Sequence, residues 1–142
     1  MDLETTLRQR ILILDGAMGT KIQALGLTPE HYHRGRFAHW PVALTGNNDV
    51  LCLTAPEVIK SIHRAYIDAG ADIITTNTFS ANRISQHEYG CDDVAREMAL
   101  AGATIARQVA DDYSDLGTTG ILPVAFASRS SPPFPSALSP LA

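Results

Sequence analysis

The chain has 142 residues, enough for one domain with a sizeable core, and its 45% hydrophobic and 18% charged content is ordinary for a soluble globular protein. Its 11 basic and 15 acidic residues are scattered and give a net charge of -4, so we expect no nucleic-acid partner. The polar N-terminus and the short apolar run behind it predict neither a signal peptide nor a membrane span.

Cys52 and Cys91 are too widely spaced for a zinc ribbon or a disulfide scaffold, so we expect two free thiols in a cytoplasmic protein.

The first predicted element is a buried strand. The run from Ile11 to Leu14 is short, apolar and partly β-branched, and the Asp15-Gly16 turn signal follows it. Polar and small residues at the end of such a strand are typical of the substrate-facing edge of α/β enzymes. Residues 21–27 then predict a short helix.

Residues 31–45 are rich in His, Arg, Gly and Pro and predict a long outer loop. Phe37 and Trp40 are expected to anchor this loop. Its histidines, His31, His33 and His39, are expected to be solvated or to pack within the loop rather than to form a metal cluster.

A helix is predicted to begin at Thr54-Ala55-Pro56-Glu57, with the Thr54 hydroxyl as its cap and Pro56 in its first turn. Apolar residues at helical spacing continue to Ala69, and Gly70 predicts a left-handed stop. His63 on this helix is expected to pack or to form a hydrogen bond.

A second strand is predicted over residues 72–76, and Asn77 and Thr78 follow directly at its end. A second long helix is predicted over residues 92–113, with Asp92 as its cap. Its buried side is expected to carry Val94, Met98, Ile105 and Val109. Because each crossover is long enough to return the chain parallel to its start, the order of strands and helices predicts an α/β fold with a parallel sheet.

The composition changes at residue 117. From there to residue 142 the chain has no acidic residue and a single basic residue, Arg129. Residues 121–127 predict a third strand, and the Pro/Ser-rich remainder is expected to be disordered. We therefore divide the chain into residues 1–116 and a divergent tail, residues 117–142. The sudden loss of charge after Asp115 predicts a shifted reading frame or a truncated gene.

Several motifs occur together in a specific order. They are Asp15-Gly16-Ala17-Met18-Gly19-Thr20, Gly46-Asn47-Asn48-Asp49-Val50-Leu51, Thr54-x-Pro56-Glu57-Val58-Ile59, Ile62-His63-x-x-Tyr66 and Ala69-Gly70-Ala71-Asp72-Ile73-Ile74-x-Thr76-Asn77-Thr78-Phe79. Together they resemble the start of the homocysteine-binding (homocysteine S-methyltransferase) domain of cobalamin-dependent methionine synthases. The resemblance runs from about Arg10 to about Asp115. Residues 34–41 favour the methionine synthase type over betaine- or S-methylmethionine-dependent relatives.

The resemblance implies a partial (β/α)8 TIM barrel, of which residues 1–116 supply the first two to three strand-helix units with parallel strands. A closed barrel of this class needs roughly 250 residues. In an intact parent, the resemblance implies that a methyl group passes from methyltetrahydrofolate to cobalamin and then to the thiolate of zinc-bound homocysteine, giving methionine. This chemistry is coherent because a metal lowers the thiol pKa and the thiolate is the nucleophile.

The resemblance also implies which residues bind the substrate. Asp15 would accept a hydrogen bond from the ammonium group of homocysteine, and the backbone amides of Gly16 and Ala17 would hold its carboxylate. Asn77 and Thr78 would complete the pocket floor. No residue of the chain is assigned a catalytic role.

No metal ligand is predicted, because the zinc-binding cysteines of the family lie beyond residue 142 and neither Cys52 nor Cys91 matches them. Zinc and cobalamin are therefore expected only in an intact parent. The main interpretation is a methyltransferase fragment that is inactive alone, binds homocysteine weakly or not at all, and associates through exposed strand edges. Two alternatives remain: a non-catalytic α/β fragment that acts as an amino-acid-binding or barrel-pairing module, and an unrelated α/β fold.

Overall fold

A computed structural model describes residues 3–115 and 122–124. The described α-helices are α1 (Leu3–Gln9), α2 (Met18–Ala24), α3 (Pro29–Tyr32), α4 (Leu51–Thr54), α5 (Pro56–Asp68), α6 (Arg83–Gln86) and α7 (Ala95–Asp115). Short 3-10 turns occupy Gly35–Phe37, Asn48–Val50, His87–Tyr89 and Asp92–Val94. Two strands, β1 (Ile73–Thr75) and β2 (Leu122–Val124), pair in parallel, with Ile74 opposite Pro123.

The predicted fold class, α/β with a partial (β/α)8 TIM barrel of two to three parallel strand-helix units, is wrong. Helices carry most of the described structure, and the paired strands have only three residues each. The predicted strand Ile11–Leu14 does not form. Its side chains are largely exposed, with Ile11 at 88%, and only Leu14 makes a bridge, to Ile73. The physical reason is that a short apolar run becomes a strand only when neighbouring segments pair with it and cover it.

Helix α5 follows its sequence signals closely. Pro56 occupies the first turn, and Ile59, Ile62 and Ile67 are buried on one face. The helix ends at Asp68, and Gly70 follows its C-cap with a left-handed φ of 98°. The Ala71 amide donates to the Tyr66 carbonyl in the arrangement of a Schellman motif. The predicted Thr54 cap is wrong, because Thr54 ends α4 and its hydroxyl donates to the Val50 carbonyl.

The core lies mainly between α4, α5 and α7. Met98, Ile105 and Val109 of α7 are buried as predicted, whereas Val94 is partly buried. The predicted cap at Asp92 is replaced by a 3-10 turn ahead of Ala95. No described helix is long and apolar enough to cross a membrane.

The predicted outer loop, residues 31–45, is more ordered than expected. Phe37 is buried and its ring lies 5.0 Å from that of Trp40, whose Nε1 donates to the Tyr89 carbonyl at 2.8 Å. Both aromatic residues therefore anchor the segment, as predicted. His33 packs within it, since its Nε2 accepts from the Leu44 amide at 3.1 Å.

Strand β2, Leu122–Val124, lies within the predicted third strand, residues 121–127. The rest of the tail, residues 117–121 and 125–142, and with it the prediction of disorder, lies outside the described residues.

Candidate functional site

A pocket of about 960 Å³ lies where four segments of the chain meet. These segments are residues 16–19, residues 46–49, residues 75–80 and residues 84–89. The first leads into α2, the third continues from β1, and the fourth covers the end of α6 and the turn after it. The pocket is therefore built from loop segments that the helices and β1 bring together.

Four of the five predicted substrate-binding residues line this pocket. They are Gly16, Ala17, Asn77 and Thr78. The amides of Gly16 and Ala17 donate no hydrogen bond to other described residues. Both residues line the pocket, and neither amide has an acceptor within residues 3–115 and 122–124.

Asp15, the fifth predicted residue, is 8% exposed and is not part of the pocket lining. Its Oδ2 accepts from the Thr75 amide at 3.0 Å, and its Oδ1 accepts from the Thr75 hydroxyl at 2.8 Å. The Asp15 amide donates to the Ile73 carbonyl at 2.8 Å. Asp15 therefore connects the segment before α2 to β1, although Asp15 and Thr75 are 60 positions apart in the sequence.

Asn77 and Thr78 are held firmly at the rim. The Asn77 side-chain Nδ2 donates to the Asn48 carbonyl at 2.7 Å, and its backbone carbonyl accepts from the Cys52 thiol at 3.4 Å. The Thr78 hydroxyl shares a hydrogen bond of 2.6 Å with the Thr76 hydroxyl. These contacts fix the rim even without a ligand.

A buried amide pair joins the second pocket segment to α6. Asn47 Nδ2 donates to Gln86 Oε1 at 2.7 Å, and Gln86 Nε2 donates to Asn47 Oδ1 at 3.1 Å and to the Ser80 carbonyl at 3.1 Å. Both side chains are almost fully buried, so each satisfies the other. The sequence analysis assigned neither residue a role, although the polar run Gly46–Asp49 was among the motifs that carried the resemblance.

Two carboxylates line the pocket, and their surroundings differ. Asp49 is 5% exposed, and its Oδ1 accepts from the Ser80 amide at 3.0 Å. Burial raises the pKa of Asp49 despite this hydrogen bond and one from its own amide. Glu88, in contrast, is exposed to solvent. The sequence patterns did not predict Asp49 or Glu88 as site residues.

His63 of α5 is fully buried and lies near Asp15. Neither ring nitrogen has a hydrogen-bond partner among the described residues. Burial lowers the pKa of His63, and the nearby Asp15 carboxylate opposes this shift. The expected packing role is confirmed, because the neutral ring fills space in the interior.

The described residues do not fit a zinc ion. Among them, no group of three or more His, Cys, Asp and Glu side chains lies close enough together to hold a metal. Cys52 and Cys91 are both buried as free thiols. Burial raises the pKa of Cys52 to about 12 and also raises that of Cys91, which opposes the thiolate form that zinc requires.

Comparison with known proteins places this chain in a family. The family model described as Homocysteine S-methyltransferase matches residues 12–140. The match extends beyond Asp115, where the resemblance noted from the motifs ended, and it includes every segment of the pocket wall. The chain belongs to the homocysteine S-methyltransferase family.

Proposed function

We propose that the pocket binds homocysteine as the acceptor of a methyl group. The observation that carries this proposal is the meeting of Gly16, Ala17, Asn77 and Thr78 in one pocket. The residues come from two distant segments, and the family resemblance implies substrate contact for each of them. The family match independently supports methyl transfer to homocysteine as the reaction class.

The amides of Gly16 and Ala17, which donate to no other described residue, suit the carboxylate of an amino acid. Neighbouring backbone amides that point to one space form an anion-binding concavity, and they need no charged side chain to do so. Asn77 and Thr78 add polar side chains to the lining of the same pocket. Asp15 contributes indirectly, because its hydrogen bonds to Thr75 hold the turn that carries Gly16 and Ala17.

Methyl transfer requires the homocysteine sulfur to lose its proton and then form a bond to the methyl carbon, which leaves its donor. Enzymes of this family generally use zinc to stabilise the thiolate. Because the described side chains do not fit that ion, we assign them to binding and orienting the amino acid, and we assign no step to the metal.

The methionine synthase type is the finer part of the proposal. The segment 34–41 supports it by resemblance, and Trp40 of this segment bonds to the carbonyl of Tyr89, which lines the pocket. This type takes the methyl group from methyltetrahydrofolate by way of cobalamin. Methionine formed from betaine or S-methylmethionine, and not from methylcobalamin, would overturn this assignment.

Calorimetry with L-homocysteine tests the binding proposal. We expect weak binding, with a dissociation constant of about 1 mM, which corresponds to about -4 kcal/mol, with or without added zinc. In a Gly16→Val variant we expect binding to be lost and circular dichroism to be unchanged, because an added Cβ at Gly16 has no atom within 4 Å in the fold. Exposed Gln23 of α2 is absent from the pocket wall, so Gln23→Ala is the matched control. Absence of heat with the unmodified chain would refute the proposal.

A further inference from the structure

We propose that two copies of this chain associate through residues Ile11–Leu14, the edge segment, and form a dimer whose two-fold axis passes through Ile13. The sequence predicted association through exposed strand edges without indicating which edge or which register. The proposal is independent of homocysteine binding, because no residue of the edge segment lines the pocket.

The backbone of the edge segment is bonded on one side only. The Ile13 carbonyl accepts from the Ile73 amide at 3.1 Å, and the Asp15 amide donates to the Ile73 carbonyl at 2.8 Å. Successive residues of an extended chain direct their N–H and C=O groups to opposite sides, so those of Leu12 and Leu14 point away from β1. They form no hydrogen bond with any residue in 3–115 or 122–124. Such unpaired backbone groups are a template for pairing with another chain.

The side chains of the edge segment add exposed apolar surface. Ile11, Ile13 and Leu14 are 88%, 58% and 56% exposed. The segment contains no charged residue and no proline, the features that commonly protect an edge from association. The charge that precedes it, Arg10, is already bound by both carboxylate oxygens of Asp72. A second copy would therefore bury apolar side chains without separating an ion pair.

The alternation of the backbone groups determines the register. In an antiparallel pair, residues that exchange both hydrogen bonds lie opposite each other, so Leu12 and Leu14 must face outward-directed residues of the second copy. With the two-fold axis at Ile13, Leu12 of each copy faces Leu14 of the other, and all the unpaired groups of these leucines are bonded. An axis at Leu12 would place Leu14 opposite Arg10, and an axis at Leu14 would place Leu12 opposite Gly16. The edge segment is therefore self-complementary about Ile13, as a two-fold dimer requires.

A second copy fits this edge better than residues 125–142 of the same chain. β2 pairs on the side of β1 opposite to the edge segment, so a chain that continues from Val124 must cross about three strand spacings, or roughly 14 Å, to lie beside it. At about 3.3 Å per residue this crossing uses about four residues, which leaves residues 129–131 before Pro132-Pro133. Proline has no amide to donate, and Arg129 would bring a charge to an apolar edge.

Sedimentation velocity of the full chain at neutral pH tests the dimer. We expect the mean mass to rise from that of a monomer toward that of a dimer with increasing concentration, since small interfaces associate weakly. Ile13→Lys and Ile13→Glu should each weaken association by about 10-fold, because each removes apolar burial and places like charges opposite each other. An equimolar mixture of the two variants should associate again, because opposite charges then face each other. Leu100 of α7 is 60% exposed, so Leu100→Lys is the matched control and should associate like the unmodified chain.

Several outcomes would overturn the proposal. An unmodified chain that stays monomeric at every concentration would show that the edge is covered or inert, and species larger than a dimer would exclude a closed two-fold contact. Undiminished association of Ile13→Lys would place the contact elsewhere, and failure of the mixture to associate would exclude the axis at Ile13. Should the Ile13 variants lose their native circular dichroism, Leu14→Pro removes an outward amide that is bonded to no described residue. This variant should also associate more weakly, and association equal to that of the unmodified chain would contradict the proposal.

Discussion

Gly102 of α7 lies so close to Thr78 that a Cβ added at residue 102 would be 2.5 Å from Cγ2 of Thr78. The same Cβ would be 3.3 Å from the Asn77 carbonyl oxygen and 3.4 Å from the sulfur of Cys52. The helix therefore touches the pocket rim through its backbone, and this contact requires the absence of a side chain.

We expect Gly102→Ala to destabilise the protein and to weaken homocysteine binding. Alanine gains about 1 kcal/mol in helix propensity over glycine. Overpacking costs about 1–3 kcal/mol, because the short, branched Thr78 side chain has little freedom to move away. The expected net loss is up to about 2 kcal/mol, measured by chemical denaturation.

The control for this change is Gly19→Ala in α2, where the nearest atom to an added Cβ is at an ordinary contact distance of 3.7 Å. Only the gain in helix propensity should remain in this variant, so its stability should not fall. A Gly102→Ala variant that is as stable as the Gly19→Ala variant would show that the rim moves easily.

Removal of one partner from the buried Asn47–Gln86 pair should be costly. In Gln86→Ala, the Asn47 amide loses its buried hydrogen bonds and the Ser80 carbonyl loses a part-buried one, so we expect a loss of about 1–3 kcal/mol in the free energy of unfolding. The exposed glutamine at Gln23 provides the matched variant, Gln23→Ala, which should change stability by less than about 0.5 kcal/mol. Equal effects of the two changes would argue against a structural role for the pair.

Local signals made α5 and α7 predictable from the sequence. Each has apolar residues at helical spacing, and the left-handed backbone of Gly70 ends α5 by a local preference of glycine. The run from Ile11 to Leu14 carries an equally clear apolar pattern, but its state depends on segments far away in the sequence. Of that run, only Leu14 is bridged to β1, so the pattern alone predicted the wrong structure.

The site shows the same limit. Family resemblance implies substrate contact for Gly16, Ala17, Asn77 and Thr78, and these four residues line one pocket in the fold. The resemblance did not predict that Asp15 accepts hydrogen bonds from Thr75. A carboxylate and a hydroxyl at strand ends can bind either a ligand or each other, and the sequence does not distinguish the two cases. The sequence does not predict the pairing of Asn47 with Gln86 across 39 positions, since Asn and Gln side chains are usually exposed on protein surfaces.

The ion pair between Arg10 and Asp72 should make stability depend on acid pH. Arg10 donates to both Asp72 oxygens, at 2.8 and 2.5 Å, and the Ile13 amide donates to Oδ2 at 3.0 Å. These bonds lower the pKa of Asp72 to about 2, chiefly through the hydrogen bond from Arg10. Because the folded pKa lies below the unfolded value of about 3.9, the stabilisation is full above about pH 4 and is lost as the pH falls toward 2.

Denaturation of Asp72→Asn between pH 2 and pH 6 checks this dependence. The variant should be less stable than the unmodified chain near neutral pH, and the two stability curves should converge near pH 2. Asp112→Asn is the control, because Asp112 makes a single, longer contact of 3.5 Å with Arg64. A constant difference between the Asp72→Asn variant and the unmodified chain over the whole range would contradict the assignment.

The two thiols should be unreactive in the folded protein. Burial raises the pKa of Cys52 to about 12, so very little of this thiol is ionised at pH 8, against roughly a quarter for a free cysteine. A Cys91→Ser variant isolates Cys52, and we expect a thiol-specific reagent to modify it slowly at pH 8 and rapidly in denaturant. The matched Cys52→Ser variant reports on Cys91, whose pKa burial also raises. Rapid modification of Cys52 under native conditions would mean that α4 opens at the contact with Asn77, and binding of homocysteine should then slow the reaction, because the ligand stabilises the closed rim.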